Sequence, residues 1–214
     1  MRLASLMTVL AFLSRPALSQ ACLGLPNVAH HTRITGSASF ADSSKAFGAA
    51  FGGGLSHGLF GDVGVSRVTY DNVSGGTNGA FAEGGIRLPF PALPFELCPV
   101  AGLGFGTGPK NIGGPGTDVS YRSATGGIAV GVPIGWTGLI ELIPNATVAW
   151  SYTSQKNTVQ DGSSTSTSHE DAIDLGLALL LFDRLSVQPT YQIPFSSDYG
   201  DKTWGVFVGV SLRR

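Results

Sequence analysis

The sequence predicts an all-β protein, an up-and-down antiparallel β-barrel that crosses a membrane through about ten strands, with eight as the alternative count. Hydrophobic residues make up 43% of the 214 residues and charged residues only 13%. The surface of a soluble domain normally carries roughly 25–35% charged residues, so this chain has too few to cover itself in water. Apolar and polar residues also alternate with a period of two over most of the chain, which is the pattern of strands.

The N-terminus is predicted to be an export signal that is removed after Ala21. Arg2 gives a short positive start, a hydrophobic run follows from Leu3 to Leu13, and Ser19 and Ala21 are the small residues before the cleavage point. The run is too short to span a bilayer as an anchor; a buried first helix is the other interpretation. Residues 22–31 are then a periplasmic segment, and residues 32–214 form the barrel.

Both cysteines remain in the mature chain after this cleavage. An isolated pair in an oxidising periplasm indicates one disulfide, here between Cys22 and Cys98. Alternatively Cys22, which directly follows the cleavage site, is lipidated, but Ser19 stands where a lipoprotein signal has leucine. The alternation around Cys98 points its side chain into the lumen near the periplasmic mouth. A disulfide would therefore hold residues 22–31 across that mouth as a partial plug.

Ten segments are predicted to be strands. Strict alternation marks residues 140–152, 173–181, 185–193 and 203–212. Weaker alternation marks residues 32–41, 45–55, 61–71, 78–88, 96–106 and 119–132. Alternation of this kind means that the two faces of each strand meet different environments.

The links between these segments are predicted to alternate in length. Short links lie at residues 56–58, 90–95, 133–138 and 183–184, and longer polar links at residues 72–77, 107–118, 153–169 and 196–202. The link near residues 42–44 belongs to the series of longer links by its position, but it is short. This asymmetry predicts tight periplasmic turns, longer external loops and both termini on the periplasmic side.

The polar face of the strands is predicted to line the lumen and the apolar face to contact lipid. The polar face consists mainly of Gly, Ser, Thr and Ala, which would make a poor water-facing surface but suit a narrow lumen. On this assignment arginine at Leu177 should damage assembly because it would lie in lipid, whereas serine at Gly176 should be accommodated in the lumen if there is space beside it. Aromatic residues near strand ends are expected to form girdles at the two interfaces: Phe40, Trp150, Tyr152, Phe182, Tyr191 and Trp204.

The signal, the alternating strands and the link lengths together resemble the small outer-membrane β-barrel proteins of the opacity-protein type and the barrel domain of outer-membrane protein A. The resemblance covers nearly all of the mature chain and rests on pattern rather than on a specific motif. It implies a monomer in the outer membrane of a Gram-negative bacterium, surrounded by membrane lipid and inserted by the barrel-assembly machinery. That family usually ends its last strand with an aromatic residue, whereas this chain ends Leu212-Arg213-Arg214.

Five charged side chains are predicted to point into the barrel when the apolar face is outward: Arg33, Glu83, Arg87, Glu141 and Asp174. Glu83 and Arg87 are four residues apart on one predicted strand and therefore share a face. The favoured interpretation is a network of paired charges that closes a small barrel and satisfies buried groups. The alternative is an ion path or a binding site in the lumen.

No catalytic, cofactor-binding or metal site is predicted. An enzyme in a barrel needs a base and usually a nucleophile, and His169 with its neighbours Ser168 and Glu170 is the least unfavourable group. Adjacent residues on a strand point to opposite faces, so these three cannot form a relay alone. The glycine run at residues 102–108 has no helix pattern after it, unlike a nucleotide-binding loop. A net charge of −1 offers no basic face for nucleic acid.

The predicted function is therefore that of a non-enzymatic outer-membrane barrel, either a structural or surface-interaction protein or a narrow pore. The second interpretation is a membrane-embedded enzyme, a lipid hydrolase, acyltransferase or protease, that acts at the outer rim. A secreted soluble barrel with an apolar ligand is the third.

Overall fold

The structure is a computed structural model that describes residues 31–54, 58–71, 73–88, 95–109, 117–132, 134–136, 139–159, 162–182, 184–195 and 201–213. The predicted export signal, its cleavage site, Cys22 and the chain up to residue 30 lie outside the described residues.

The described residues form the strands β1 (His31–Ala41), β2 (Ser44–Gly54), β3 (Leu59–Tyr70), β4 (Val73–Ile86), β5 (Glu96–Thr107), β6 (Asp118–Gly131), β7 (Ile134–Trp136), β8 (Ile140–Val159), β9 (Gly162–Leu181), β10 (Leu185–Pro194) and β11 (Thr203–Arg213). Ten of these are long, and they correspond to the ten predicted segments. β7 is short and was not predicted.

The ten long strands close into one antiparallel up-and-down barrel. Each pairs with its neighbours along the chain, β1 pairs with β11, and β6 pairs with β8. β7 continues the edge of β6 by pairing with the first residues of β8. A closed barrel leaves no open sheet edge and pairs its backbone groups between strands, as a bilayer requires. The predicted fold class is confirmed.

The alternation of side chains along the strands follows the predicted phase. On β10, Gln188 and Gln192 are buried inside the barrel, whereas Tyr191 is exposed on its outer face. On β11, Phe207 is buried and Val208 is exposed. The apolar face therefore points outward and the polar face inward.

Glycines on β4 and β5 leave room for larger side chains of β6 that lie against the inner surface of the barrel. The Tyr121 hydroxyl lies over both Gly79 and Gly106, where it would collide with any Cβ atom. The Thr125 side chain likewise lies over Gly102, with its hydroxyl oxygen 2.8 Å from the position of a Cβ. Glycine at these positions permits the close approach of side chains from β6.

The predicted external loop at residues 153–169 is wrong. β8 continues to Val159, β9 begins at Gly162, and the two strands pair along this whole length. The alternation also continues, because Thr153 and Gln155 are buried on the inner face. The threonines of this segment favour strands, and only two residues separate the paired positions Val159 and Gly162, which is the length of a tight hairpin connection. We call residues 153–169 the β8–β9 hairpin.

The predicted difference in link length between the two ends is confirmed only in part. At the end predicted to be external, the connections at residues 108–117 and 195–202 are long as expected, whereas β4 begins at Val73, so the link predicted at residues 72–77 is mostly strand. At the opposite end the link predicted at residues 133–138 contains β7, and the connection at residues 87–95 is not short. The strands β8 and β9 instead provide most of the extra length at the end predicted to be external.

Candidate functional site

The outer surface of the barrel is a broad apolar belt. Large hydrophobic side chains are strongly exposed there; Val65, Leu103 and Phe105 each expose 60–65% of their surface. A soluble monomer rarely exposes a continuous apolar area of this extent, and a transmembrane barrel has such a band on its lipid face.

The described part of the chain contains no helix that is long and apolar enough to cross a membrane.

Aromatic side chains gather near the end of the barrel that is predicted to be external. The ring of Trp204 stacks on that of Phe40, with centroids 4.8 Å apart, and Phe47 meets Phe40 edge-on at 6.5 Å. Tyr191 pairs with Trp204 across the β10–β11 ladder. Of the six aromatic residues predicted to form girdles, only Phe182 lies at the opposite end. The structure therefore has one clear aromatic girdle and one predicted member at the other end.

The lumen contains a buried ion pair that spans three strands. Following the strand pairings, Arg33 lies beside Gly52, and Gly52 beside Asp62. The Arg33 Nη2 and Asp62 Oδ2 atoms are 3.7 Å apart, and less than a tenth of either side chain is exposed. Asp62 occupies the space where a Cβ of Gly52 would stand. Glycine in β2 thus lets the two side chains meet across the strand between them.

Glu83 lies beside Asp62 on the next strand, β4. It is 9% exposed. Two aromatic rings bracket this level of the lumen, because Phe60 lies over Gly85 and Phe81 lies over Gly64. Among the described residues neither carboxylate oxygen of Glu83 has a hydrogen-bond partner. Arg33 therefore pairs directly with Asp62, and it attracts the Glu83 carboxylate only over a longer distance.

The predicted lumen charges lie on several strands of the barrel. Arg33 and Glu83 are buried on β1 and β4, and Glu141 and Asp174 on β8 and β9. Arg87 lies past the end of β4, and its Nε atom is 3.2 Å from Glu96 Oε1. This pair is partly exposed.

Two further buried acids were missed by the sequence analysis. They are Asp62 on β3 and Glu170 on β9. The outward positions of Val63 and Val65 could have placed Asp62 inside, whereas Glu170 follows a segment that was interpreted as a loop. Among the described buried charges, five are acidic (Asp62, Glu83, Glu141, Glu170 and Asp174) and one, Arg33, is basic. The charged part of the lumen is thus strongly acidic.

An amide network ties β8 to β10 across β9. The Gln188 Nε2 group donates a hydrogen bond to Asn145 Oδ1 at 3.3 Å, and Asn145 Nδ2 donates to the carbonyl of Ile143 at 3.0 Å. A Cβ on Gly176 would lie 2.6 Å from Gln188 Nε2 and closer still to Asn145. A serine at Gly176 therefore fits only if the amide groups of Asn145 and Gln188 move aside.

The candidate residues for enzyme chemistry at the rim are split between two faces. His169 is exposed on the outer face, where its ring lies 5.0 Å from that of Tyr152. Glu170 is buried on the inner face, and Ser168 has the same inward phase. His30, His57 and the His31 side chain lie outside what the structure describes. In its described part there is no group of three or more His, Cys, Asp or Glu side chains that could hold a metal ion.

Cys98 is buried on the inner face of β5, as its phase predicts, with 1% of its surface exposed. It packs in a small cluster with Phe60, Val100, Ala129 and Ala149. Because Cys22 lies outside the described residues, the disulfide between the two remains a prediction.

No protein-family model and no curated protein matches the sequence. Solved structures do match. The translocator domain of the autotransporter NalP from Neisseria meningitidis is 13% identical, with 86% of this chain and 87% of that one covered and a TM-score of 0.50. The N-terminal barrel domain of OprF from Pseudomonas aeruginosa is 11% identical, with 86% and 98% covered and a TM-score of 0.41. Neisserial surface protein A is 9% identical, with 86% and 95% covered and a TM-score of 0.38. At such identities the likeness to the NalP translocator domain shows the fold alone, which is a closed antiparallel β-barrel.

Proposed function

We propose that the chain is a non-enzymatic outer-membrane barrel of a Gram-negative-type bacterium, with a closed lumen, that serves as a structural or surface-interaction protein. The observation that carries the proposal is the burial of the inward polar side chains beneath an apolar outer belt. Such a molecule is stable only where lipid covers the belt, and its lumen has little room for a solute.

The burial of the lumen lining favours a closed barrel over an open pore. Thr77, Thr147 and Gln188 point inward and expose 1% of their surface or less. A continuous water-filled channel would leave such polar groups accessible to water, as the polar interior of a porin is. Their burial supports a structural or surface role and leaves little support for conduction through the described lumen.

The β8–β9 hairpin supports a role at the cell surface. The pairing of β10 with β9 ends at Ala172, whereas β8 and β9 continue to pair up to Val159 and Gly162. The hairpin therefore projects beyond β10 on the external side. Its outward side chains are mainly Ser and Thr, so it offers a polar, hydrogen-bonding surface to whatever meets the cell.

The enzymatic alternative has weaker support from the geometry of the rim. It requires His169 to converge with an acid and a hydroxyl group on one face. The neighbouring acid, Glu170, points into the barrel, and the recorded contact of His169 is with the ring of Tyr152. A packing contact between two rings explains this arrangement without chemistry.

The orientation of the barrel can be tested with cysteines introduced at its two ends. Ser164 is exposed on the β8–β9 hairpin, and Arg184 is exposed in the turn between β9 and β10 at the opposite end. We expect a membrane-impermeant maleimide to label Ser164→Cys in intact cells and to label Arg184→Cys only after the outer membrane is opened. Labelled protein should be recovered in the outer-membrane fraction and should resist extraction by salt.

Recovery of the protein in the soluble periplasm would contradict the membrane location. Labelling of Arg184→Cys alone in intact cells would show that the barrel is inserted the other way round.

We also propose that the Cys22–Cys98 disulfide forms and narrows the periplasmic mouth. The ten residues from Cys22 to the first strand can span at most about 33–36 Å when extended, which is enough to cross the mouth. Mass spectrometry of the non-reduced mature protein should then find no free thiol. The segment that begins at Cys22 should resist proteolysis in the folded, oxidised protein and become cleavable after reduction, while conductance in planar bilayers stays low in both states because the lumen lining is closed. Free thiols or a diacylglycerol on Cys22 would contradict the bond, and equal proteolysis with and without reductant would contradict the plug.

A further inference from the structure

Among the residues that the structure describes, the lumen at the level of Glu83 contains two buried carboxylates and one buried basic side chain, Arg33. Asp62 and Glu83 are adjacent across the β3–β4 ladder, and both are buried. Arg33 lies near them, and its guanidinium pairs with Asp62 at 3.7 Å. Two buried carboxylates therefore depend on a single cation, although buried charges are normally paired or bind an ion.

Glu83 is the carboxylate that this arrangement leaves without a direct partner. In the part of the chain that the structure describes, neither of its oxygens accepts a hydrogen bond. Phe60 and Phe81 cover the glycines above and below this level of β3 and β4, so water has little access to screen the charge. A low-dielectric setting raises the free energy of an unpaired carboxylate and strengthens its attraction for any cation that can reach it.

A neutral oxygen of β6 faces the same space. A Cβ placed on Gly102 would meet Thr125 Oγ1 at 2.8 Å and the Glu83 side chain at 3.1 Å, so these two side chains flank one position. The Thr125 hydroxyl is buried and lacks a hydrogen-bond partner within the described residues. A carboxylate and a hydroxyl oxygen therefore line the site.

We propose that the barrel lumen binds one monovalent cation, an alkali metal ion or a small ammonium ion, at the carboxylate of Glu83, with the hydroxyl of Thr125 as a further oxygen ligand. One positive charge balances the excess that Arg33 leaves. Oxygen ligands suit hard cations, and the absence of a cluster of three or more acidic, His or Cys ligands in the described chain disfavours a divalent or transition metal. The strand pairings place Ser151 beside Thr125, and Glu170 beside Ser151. The Glu170 carboxylate therefore adds to the negative electrostatic potential of the lumen.

This site does not depend on the proposed surface function, because a bound ion can balance Glu83 in a conducting or a closed barrel. The competing explanation is that Glu83 is neutral because it carries a proton. The two explanations differ in whether a cation other than the proton binds.

Equilibrium dialysis with radioactive rubidium measures the site directly. The full mature protein, folded in a zwitterionic detergent, should bind one rubidium ion per chain at mildly alkaline pH. Glu83→Gln should abolish this binding, whereas Asp174→Asn, which removes a lumen carboxylate on β9, should retain it. Competition by sodium, potassium or ammonium chloride, at an ionic strength held constant with N-methyl-glucamine chloride, then distinguishes an alkali ion from an ammonium ion.

Thr125→Val provides a second variant that keeps every charge and should weaken rubidium binding, so the test does not rely on the folding of Glu83→Gln alone. Wild-type protein without bound rubidium, or equal binding by wild type and Glu83→Gln, would overturn the proposal. An infrared band of a protonated carboxyl that Glu83→Gln removes would identify the proton as the balancing charge instead.

Discussion

Arginine in place of Leu177 is expected to prevent most of the protein from reaching its folded state in the outer membrane. Leu177 is 43% exposed on the outer face of β9, where it pairs with Pro144 of β8. An arginine on the lipid face of a barrel near mid-bilayer costs roughly 2–4 kcal/mol. Total stabilities are about 5–15 kcal/mol, so the loss is a large fraction. The folded form is measured as the gel band that changes its mobility on boiling.

Thr167→Arg is the matched control for this substitution. Thr167 lies on the same strand and the same outer face, but on the β8–β9 hairpin, where it is exposed above the apolar belt. The same arginine should change stability there by no more than about 0.5 kcal/mol, as at ordinary surface positions. Equal yields of folded Leu177→Arg and Thr167→Arg protein would mean that the outer face of β9 does not contact lipid.

The fold could be predicted from the sequence wherever the two faces of a strand meet different surroundings. On β10, Val187 and Tyr191 face outward while Gln188 and Gln192 face the lumen, so the alternation is visible in the residue types themselves. The β8–β9 hairpin has no such contrast in residue type, because both of its faces carry Ser and Thr although Thr153 and Gln155 are buried on the inner face. Hydrophobic periodicity cannot identify a strand of this kind, and its composition is that of a loop.

The candidate site could be predicted only in part. The alternation along one strand shows which face a side chain lies on, whereas the register between strands decides which side chains meet. The phase of each strand was enough to expect Arg33 and Glu83 inside the barrel. Which of them meet depends on the register between strands, which aligns Arg33, Gly52 and Asp62 and has no signature in the sequence of one strand. Arg87 similarly pairs with Glu96 only because β5, which follows residues 87–95, runs antiparallel to β4.

Replacing Arg33 with glutamine is expected to destabilise the barrel by about 3–5 kcal/mol, the usual effect of removing one partner from a buried ion pair. The side chain is 8% exposed, and its loss leaves Asp62 and Glu83 buried beside each other without a cation from the protein. Urea unfolding in detergent micelles measures the change in the free energy of unfolding.

Two further variants separate this charge effect from a loss of packing. Arg33→Gln combined with Asp62→Asn should regain much of the lost stability, because it removes the carboxylate that faces the guanidinium at 3.7 Å while leaving the shapes of both side chains nearly unchanged. Arg87→Gln, which breaks the partly exposed pair with Glu96, should cost only about 0–1 kcal/mol. If Arg33→Gln cost no more than Arg87→Gln, the lumen would be wet enough to solvate the two carboxylates. In that case the closed lumen inferred from its buried lining would be contradicted as well.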